Sequence, residues 1–359
     1  MSLSEIALIT HPKAVDHVMP FARPHLEAFE APLRLQMVMR HLEECGINAR
    51  VKKFMAPRAP EDALLRVHSP YLVDIVKLMS DFGHGEIGEA AYASPALYDV
   101  ARLAAGGAVR AATLVVEGRT KHAFSIMRPP GHHASTSTAM GLCYFNNIAI
   151  AIRQVQSTGE GMRVSILDFD DHHGNGTAEI FYADPHVQYI SIHEYDYQNP
   201  NSGHYAEIGY GEAKGTNINI PLVEASPDAS YAAALTEIVE PAIREFAPDL
   251  IAVSAGFDAH FGDPVGNMDV DSSTYWRFGE TIRRLAKEVG ARGSFWVLEG
   301  GYNPFLLGLC VEASIRGLAG NDCPRLSDQI EREVRQEILA QNESVLQEVK
   351  SHLADCLAL

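Results

Sequence analysis

Short apolar segments alternate with helical patterns along the chain, and this alternation limits the possible fold more than any other feature. Six of the segments are rich in β-branched or aromatic residues, which predicts strands. They are Ala123–Met127, Arg163–Phe169, Val187–Ile192, Thr216–Ile220, Leu250–Ala255 and Ser294–Leu298. Alternating strands and helices of this kind predict an α/β fold, in which helices cover both faces of a parallel sheet.

Polar caps and apolar stripes at helical spacing predict the helices. Ser94 and Pro95 are typical of an N-cap and a first helical residue, opening a helix that runs towards Glu117. The other predicted helices are Pro32–Cys45, Ser69–Asp81, Asn147–Gln156, Ser226–Glu245, Ser272–Val289 and Leu326–Leu353. Since we find no linker and no repeat, we expect one main domain over residues 1–320. A helical extension over residues 321–359 is expected to pack on that domain or on an oligomer partner.

The charge balance and the cysteine pattern exclude several classes of function. The 359 residues include 29 Lys and Arg against 46 Asp and Glu, a net charge of −17. Nucleic-acid surfaces and peripheral membrane proteins need clustered basic residues, so neither partner is expected. The five cysteines are widely spaced and form no CxxC motif, which indicates reduced thiols rather than disulfides or a thiolate zinc site. The chain shows no signal-like start and no long apolar run, so we expect a cytoplasmic protein.

Polar motifs directly follow four of the predicted strands, and parallel strands bring such motifs to one edge of the sheet. Asp170 and His172 alternate at one strand end and therefore point the same way. Asp258 follows another apolar strand and is the best candidate for a third ligand. Each residue alone could simply cap a helix or form hydrogen bonds with the backbone of a loop. Together, two carboxylates and an imidazole predict a metal site that suits zinc, or iron and manganese less selectively.

Three further side chains fit hydrolytic chemistry beside such a metal. His132 and His133 follow a rigid Pro-Pro-Gly turn, and attack by water needs a base and later an acid for the leaving group. Asp168 and Asn175 are the natural partners that orient these two rings. Tyr302 follows Gly-Gly at another strand end, where its phenol could stabilise an oxyanion.

Six motifs, in this order, resemble those of the histone deacetylase family: RPPGHHA, GLCYFNN, LDFDDHHGNGT, SIHEYD, SAGFDAHFGDP and LEGGYN. The resemblance spans roughly residues 23–320 and looks closest to class II and bacterial deacetylase-like amidohydrolases, which are related to acetylpolyamine amidohydrolases. It implies the arginase/deacetylase fold, with a central parallel sheet of eight strands and helices on both faces. Residues 1–320 would then be the catalytic domain.

The resemblance implies a zinc-dependent deacylase that hydrolyses the amide of N-acetyl or other short acyl lysine-like amines. One zinc ion would be held by Asp170, His172 and Asp258. His132 and His133 would be the general base and acid pair. The remaining implied residues are Tyr302 as carbonyl-polarising donor, Asp168 and Asn175 as partners of the histidines, Gly141 as acceptor of a substrate N–H, and Leu142 near the acyl tunnel.

The resemblance also implies a structural monovalent cation, K⁺. It would be held by Asp168, Asp170, His172, Ser191 and the backbone of Ile192. A second such ion would lie near Phe181 and Val187.

Departures from the family pattern bear on the substrate. Val265 stands where polyamine-specific relatives have Glu, and the segment His68–Ser94 lacks their long insertion. Both disfavour an acetylpolyamine amidohydrolase, which remains the alternative. Asp171 replaces a hydrophobic residue and is expected to add a negative charge that points away from the ligands. A family Asp that holds the substrate backbone falls only loosely near Glu89.

Two other classes of function are weaker. An arginase-like binuclear manganese ureohydrolase needs a further carboxylate after Asp258, where Ala259 and His260 stand. A non-catalytic sensor of acylated ligands would not need every catalytic residue, yet all are present. The expected partner is therefore an acylated amine or acyl-lysine substrate, and a homo-oligomer remains possible.

Overall fold

A computed structural model of the chain describes residues 2–19, 29–159, 161–196 and 202–357. Its strands are β1 (Ile6–Thr10), β2 (Lys52–Met55), β3 (Gly85–Gly88), β4 (Ala91–Ala93), β5 (His122–Ser125), β6 (Val164–Asp168), β7 (Val187–Glu194), β8 (Asn217–Leu222), β9 (Leu250–Ala255) and β10 (Ser294–Leu298). Eight of them form one sheet in the order β2-β1-β5-β10-β9-β6-β7-β8, in which every pairing is parallel. Strands β3 and β4 form a separate antiparallel pair. The predicted eight-stranded parallel sheet is confirmed.

The helices surround this sheet. They are α1 (Leu33–Glu44), α2 (Glu61–Leu64), α3 (Pro70–Phe82), α4 (Leu97–Val116), α5 (Asn147–Gln156), α6 (Asn175–Phe181), α7 (Asp228–Ala234), α8 (Glu240–Phe246), α9 (Ser272–Glu288), α10 (Pro304–Leu318) and α11 (Gln336–Leu353). One π-helical stretch, Leu235–Val239, joins α7 to α8. Side chains of Asn146, Asp271 and Asn303 accept hydrogen bonds from the first turns of α5, α9 and α10, which explains where these helices begin.

The predicted start of α4 was wrong. The helix begins at Leu97, and Ser94 does not cap it. The hydroxyl of Ser94 instead lies 2.7 Å from Nδ1 of buried His17, so a long-range contact takes the group that the local pattern assigned to the cap.

The sheet is buried on both faces, which explains why its central strands are continuous apolar runs. An aromatic cluster continues this core below the predicted metal motif. The ring of Phe169 stacks on Phe278 of α9 at 4.2 Å and meets Phe257 edge to face at 5.8 Å. Because Phe169 and Phe257 each lie next to a predicted metal ligand, this packing fixes two strand ends relative to each other.

The C-terminal helix packs on the same chain. Asn342 of α11 accepts the backbone N–H of Val223 at 3.0 Å, and its amide donates to Ser226 and Ser230. The predicted start at Leu326 was wrong, because α11 begins at Gln336. The preceding segment is anchored by Asp328, which accepts the backbone N–H of Ser272 at 2.7 Å.

Two further observations concern the helices and the cysteines. Among the helices of the described segments, none is long and apolar enough to cross a membrane. All five cysteines are free thiols.

Candidate metal centre and active site

Asp170, His172 and Asp258 lie together at the carboxyl ends of β6 and β9, which are neighbours in the sheet. One ligand atom from each lies within 4.8 Å of the others. Backbone N–H groups hold the second carboxylate oxygens, because Gly300 donates to Asp170 at 2.8 Å and Asp171 donates to Asp258 at 3.0 Å. The other oxygens, Oδ1 of Asp170 and Oδ2 of Asp258, face the imidazole of His172, and the former also accepts the backbone N–H of His172 at 3.0 Å.

This donor set fits a divalent metal ion. Nδ1 of His172 lies 3.3 Å from Oδ1 of Asp170 and 3.3 Å from Oδ2 of Asp258. Oδ2 of Asp258 is buried and has no hydrogen-bond partner among the described residues. An unpartnered buried carboxylate oxygen is costly unless a cation compensates it. Two carboxylates and one imidazole leave a coordination position open, as in catalytic zinc sites.

The charges around His172 indicate the same cation. Partial burial by itself lowers the pKa of His172, but the adjoining carboxylates of Asp170 and Asp258 more than offset this and raise it well above its usual value. The two acids thus hold a positive charge on the imidazole in the absence of metal. A metal ion bound there takes the place of that proton.

His132 and His133 lie beside the metal-binding group with their rings 4.1 Å apart. Nδ1 of His132 is 3.1 Å from Oδ2 of Asp168, and Nδ1 of His133 is 2.7 Å from Oδ1 of Asn175. The structure therefore brings together both predicted histidine–partner pairs. Nε2 of His132 also lies 3.7 Å from Oδ1 of Asp170, so this ring borders the metal ligands.

The two histidines differ in protonation. Burial lowers the pKa of His132, but the carboxylates of Asp170 and Asp168 more than offset this and raise it to about 10. Burial and the neighbouring His132 lower the pKa of His133 to about 3. Paired groups whose pKa values are pushed apart are typical of acid and base assignments. A cation on Asp170 would neutralise part of that field, but the charge and the hydrogen bond of Asp168 would still favour the cationic form of His132.

Glu299 supports the histidine loop from below and was missed by sequence reasoning. Its Oε2 accepts the backbone N–H groups of Gly131 at 2.6 Å and His132 at 3.2 Å. Burial raises the pKa of Glu299 to about 7. Its place in the EGGYN motif after a buried strand was the available signal, because a charged residue that directly follows an apolar strand is usually partnered.

Tyr302 is buried beside the metal ligands, where burial and the charge of Asp258 raise its pKa well above the usual value. Its phenol therefore stays protonated and can donate a hydrogen bond. Asp263 accepts the backbone N–H groups of Tyr302 at 2.6 Å and Asn303 at 3.0 Å. The guanidinium of Arg34 lies over the Tyr302 ring at 4.8 Å. Neither Asp263 nor Arg34 was predicted to support this residue.

Arg34, Glu30 and Arg128 form a buried ion cluster behind the site. Arg34 donates to the backbone carbonyls of Gly301 at 2.7 Å and Glu299 at 2.5 Å, and so holds the turn that carries Tyr302. Glu30 accepts from Arg128 at 2.7 Å and from Arg34 at 3.2 Å. Burial raises the pKa of Glu30, but Arg128 and Arg34 more than offset this and lower it to about 2.

Replacing Glu30 by Gln is expected to destabilise the protein by about 3–5 kcal/mol, because two buried guanidinium groups lose their carboxylate. Urea denaturation of both proteins would measure the difference. Glu44→Gln is the matched control, because Glu44 and its partner Arg40 are both exposed. That control should cost no more than about 0.5 kcal/mol.

The same comparison gives a dependence on pH. The pKa of Glu30 falls from 4.5 to about 2 on folding, so its carboxylate stabilises the folded state fully above pH 4.5. The difference between wild type and Glu30→Gln should therefore shrink as the pH falls from 4.5 towards 2. A difference that stayed constant over this range would contradict the ion cluster.

The residues predicted to face the substrate lie in two loops, one with Gly141 and Leu142 and the other with Val265. Gly141 and Leu142 have φ values of 55° and 66°, and their N–H groups donate to the carbonyls of Glu89 and Ala90 at 2.9 and 3.0 Å. Glu89 is exposed beside Gly141, so the loose sequence correspondence falls at the rim of the site. Val265 is half-buried in the loop of Asp263.

Asp171 points away from the predicted ligands, towards the backbone N–H of Asn267 at 3.3 Å. The expected added charge is not favoured, because burial raises the pKa of Asp171 well above its usual value. Burial therefore favours the neutral form of Asp171, which would avoid a third carboxylate charge beside Asp170 and Asp258.

The residues predicted to hold K⁺ adjoin the histidine site. Ser191 pairs with Asp168 in the β6–β7 register, and Ile192 follows in β7. The carboxylate of Asp168 already accepts from Tyr189 at 3.1 Å and from the backbone of Asp170 at 3.2 Å. The monovalent ions stay a prediction.

Comparison with known proteins places this geometry in a family. A sequence profile described as the histone deacetylase domain matches residues 28–318. A histone deacetylase-like amidohydrolase of Pseudomonas aeruginosa is 37% identical over 301 residues, covering 84% of this chain and 78% of that protein. A probable deacetylase of Methanothermobacter thermautotrophicus is 40% identical over 292 residues, covering 80% of this chain and 85% of that protein. The crystal structure of the HDA15 HD domain superposes with a TM-score of 0.86 at 31% identity, covering 98% of this chain and 95% of that one. The chain therefore belongs to the histone deacetylase family and has the arginase/deacetylase fold.

Proposed function

We propose that the protein is a zinc-dependent deacylase of N-acylated, lysine-like amines. The observation that carries this proposal is the unpartnered Oδ2 of Asp258, directed with Asp170 and His172 at one point beside two histidines. Zinc held there would polarise the amide carbonyl and lower the pKa of a water molecule towards about 7. Ala259 offers no donor, and His260 lies 3.1 Å from Asp328, which disfavours a binuclear ureohydrolase.

His133 would then carry the proton transfers, and His132 and Tyr302 would stabilise the developing negative charge. His133, neutral and oriented by Asn175, is the acceptor for the proton that the attacking water releases. His132, held cationic by Asp168, stabilises negative charge that develops on the substrate. The phenol of Tyr302 keeps its proton and would donate a hydrogen bond to the former carbonyl oxygen. His133 then returns its proton to the departing amine.

The experiment that tests this function is removal and return of the metal. Activity on an acetyl-lysine peptide should be lost after chelation and restored by zinc, with iron(II) and manganese compared in parallel. Activity that survives complete metal removal would contradict the proposal.

Substrate choice requires a separate comparison. Val265 places an apolar side chain where polyamine-specific relatives have an acid, which supports acyl-lysine over acetylpolyamines. We expect higher kcat/KM for an acetyl-lysine peptide than for acetylputrescine. The reverse order would favour the acetylpolyamine amidohydrolase.

Gly141→Ala should lower kcat/KM by about 10², the loss that follows when a reacting group is displaced by about 1 Å. A Cβ atom at Gly141 would lie 2.4 Å from Cδ2 of His133, so the ring must move. Gly118→Ala is the control, because Gly118 has a similar φ of 69° but open space around its Cβ. Equal kcat/KM values for the two variants would show that the contact with His133 is unimportant.

A further inference from the structure

A second group of side chains that could hold a metal ion lies between α1 and α10, at the opposite end of α1 from Arg34. His41 and Cys45 are one turn apart at the end of α1, and Glu312 faces them from α10. Nε2 of His41 is 2.6 Å from Oε2 of Glu312. One ligand atom of each of the three residues lies within 4.8 Å of the others. Motif searches for paired cysteines miss this group, because its donors come from two helices that are distant in sequence.

Close packing of the two helices creates this group. A Cβ atom at Gly308 would lie 2.7 Å from Cβ of His41, so only glycine allows α10 to approach here. Glu312 is one turn further along the same face of α10. Arg316 binds Oε1 of Glu312 at 2.7 Å, which leaves Oε2 for the partners on α1.

The group is also reachable from solvent. A groove of about 270 Å³ runs past His41 and is lined by Met37, Arg40, Glu44, Pro304, Phe305 and Gly308. The side chain of His41 is 24% exposed, whereas that of Glu312 is 4% exposed. Cys45 is half-buried at the end of its helix. The groove therefore reaches the group at His41, and the buried carboxylate of Glu312 lies behind it.

We propose that His41, Cys45 and Glu312 bind one divalent transition-metal ion of the zinc class, separate from the catalytic centre. Thiolate, imidazole and carboxylate together suit Zn²⁺ or Co²⁺ and not the hard ions Ca²⁺ or Mg²⁺. Ligand bonds of about 2.0–2.3 Å place two ligand atoms of a tetrahedral site roughly 3.3–3.7 Å apart. Nε2 of His41 and Oε2 of Glu312, now 2.6 Å apart, would therefore separate to admit the ion. Burial raises the pKa of the Cys45 thiol, so binding releases its proton to solvent.

Cobalt(II) titration of the full-length, metal-stripped protein distinguishes the two centres. Only the second one contains sulfur, so a thiolate-to-cobalt charge-transfer band in the near ultraviolet reports it alone. We expect the band in wild type, in the catalytic-site variant Asp258→Asn and in Cys323→Ser, which removes an exposed thiol. Cys45→Ser should abolish the band, and His41→Ala should weaken cobalt binding at least about 10-fold.

The outcomes are distinguishable from failure of the proposed enzyme function. Cys45→Ser should keep deacylase activity with zinc in the catalytic centre, which also shows that the variant is folded. Absence of the band in wild type, or its persistence in Cys45→Ser, would overturn the second site. Loss of the band in Cys323→Ser would assign it to adventitious binding by a surface thiol and would overturn it equally.

Discussion

Asp258→Asn is expected to abolish both metal binding at the strand-end site and deacylase activity. The amide oxygen can still accept the backbone N–H of Asp171, which holds Oδ1 of Asp258 at 3.0 Å. What disappears is the anionic Oδ2, which has no hydrogen-bond partner among the described residues and faces His172. The fold should tolerate this change, because it removes one of two buried carboxylate charges that repel each other in the absence of metal.

Thermal unfolding with and without zinc measures this effect independently of turnover. Both proteins carry Cys45→Ser in this comparison, so that the second metal group does not contribute. Zinc at about 100 times its Kd should then stabilise the protein with Asp258 by about 2.7 kcal/mol and leave the one with Asp258→Asn unchanged. Asp171→Asn is the matched control, since burial already favours the neutral form of that acid. It should retain the zinc-dependent stabilisation. Activity and a zinc-dependent rise in Tm that both persist in Asp258→Asn would rule out Asp258 as a ligand.

The site could be predicted from sequence largely because its residues follow strands. Asp170, His172 and Asp258 stand at the ends of apolar runs, and a parallel sheet must bring such positions to one edge. The same rule accounts for Tyr302 after β10. The parallel topology brings these distant positions together, so local sequence patterns were sufficient to predict the site.

The support behind the site could not be predicted in the same way. Arg34 reaches carbonyls of residues more than 260 positions away. Glu30 is four residues from Arg34, but its other partner, Arg128, is 98 positions away. Backbone carbonyls have no sequence signature, so contacts to them are invisible before the fold is known. The cap assigned to Ser94 failed for a related reason, because its hydroxyl is taken by His17.

Two strands of the eight-stranded sheet, β1 and β2, and the start of α11 were missed for different physical reasons. β1 is a buried run of only five residues at one end of the chain, and β2 is a mostly exposed edge strand without alternation. The apolar spacing of the C-terminal region suggested that Ile330 and Val334 extend the buried face of α11. Ile330 and Val334 are in fact 56% and 43% exposed and precede the helix. The apolar spacing begins before the segment packs on the rest of the chain, so spacing alone placed the start of the helix too early.

Tyr302→Phe is expected to lower kcat and kcat/KM by about 10²–10³, with zinc binding unchanged. The variant keeps the ring beneath Arg34 and the backbone hydrogen bond to Asp263, so only the phenol hydrogen is lost. Loss of one donor to a developing oxyanion costs about 2.7–4 kcal/mol. Because burial and Asp258 hold the Tyr302 pKa well above its usual value, the wild-type donor persists through the neutral range.

Tyr275→Phe provides the matched control for this loss. Tyr275 is also fully buried, and its hydroxyl has no hydrogen-bond partner among the described residues. Removal of that hydroxyl should change kcat/KM by no more than about twofold, because no hydrogen bond is lost with it. A rise in KM alone in Tyr302→Phe would mean that the phenol binds substrate and transition state equally. Unchanged kcat would remove Tyr302 from the chemical step and leave carbonyl polarisation to the metal ligands and His132.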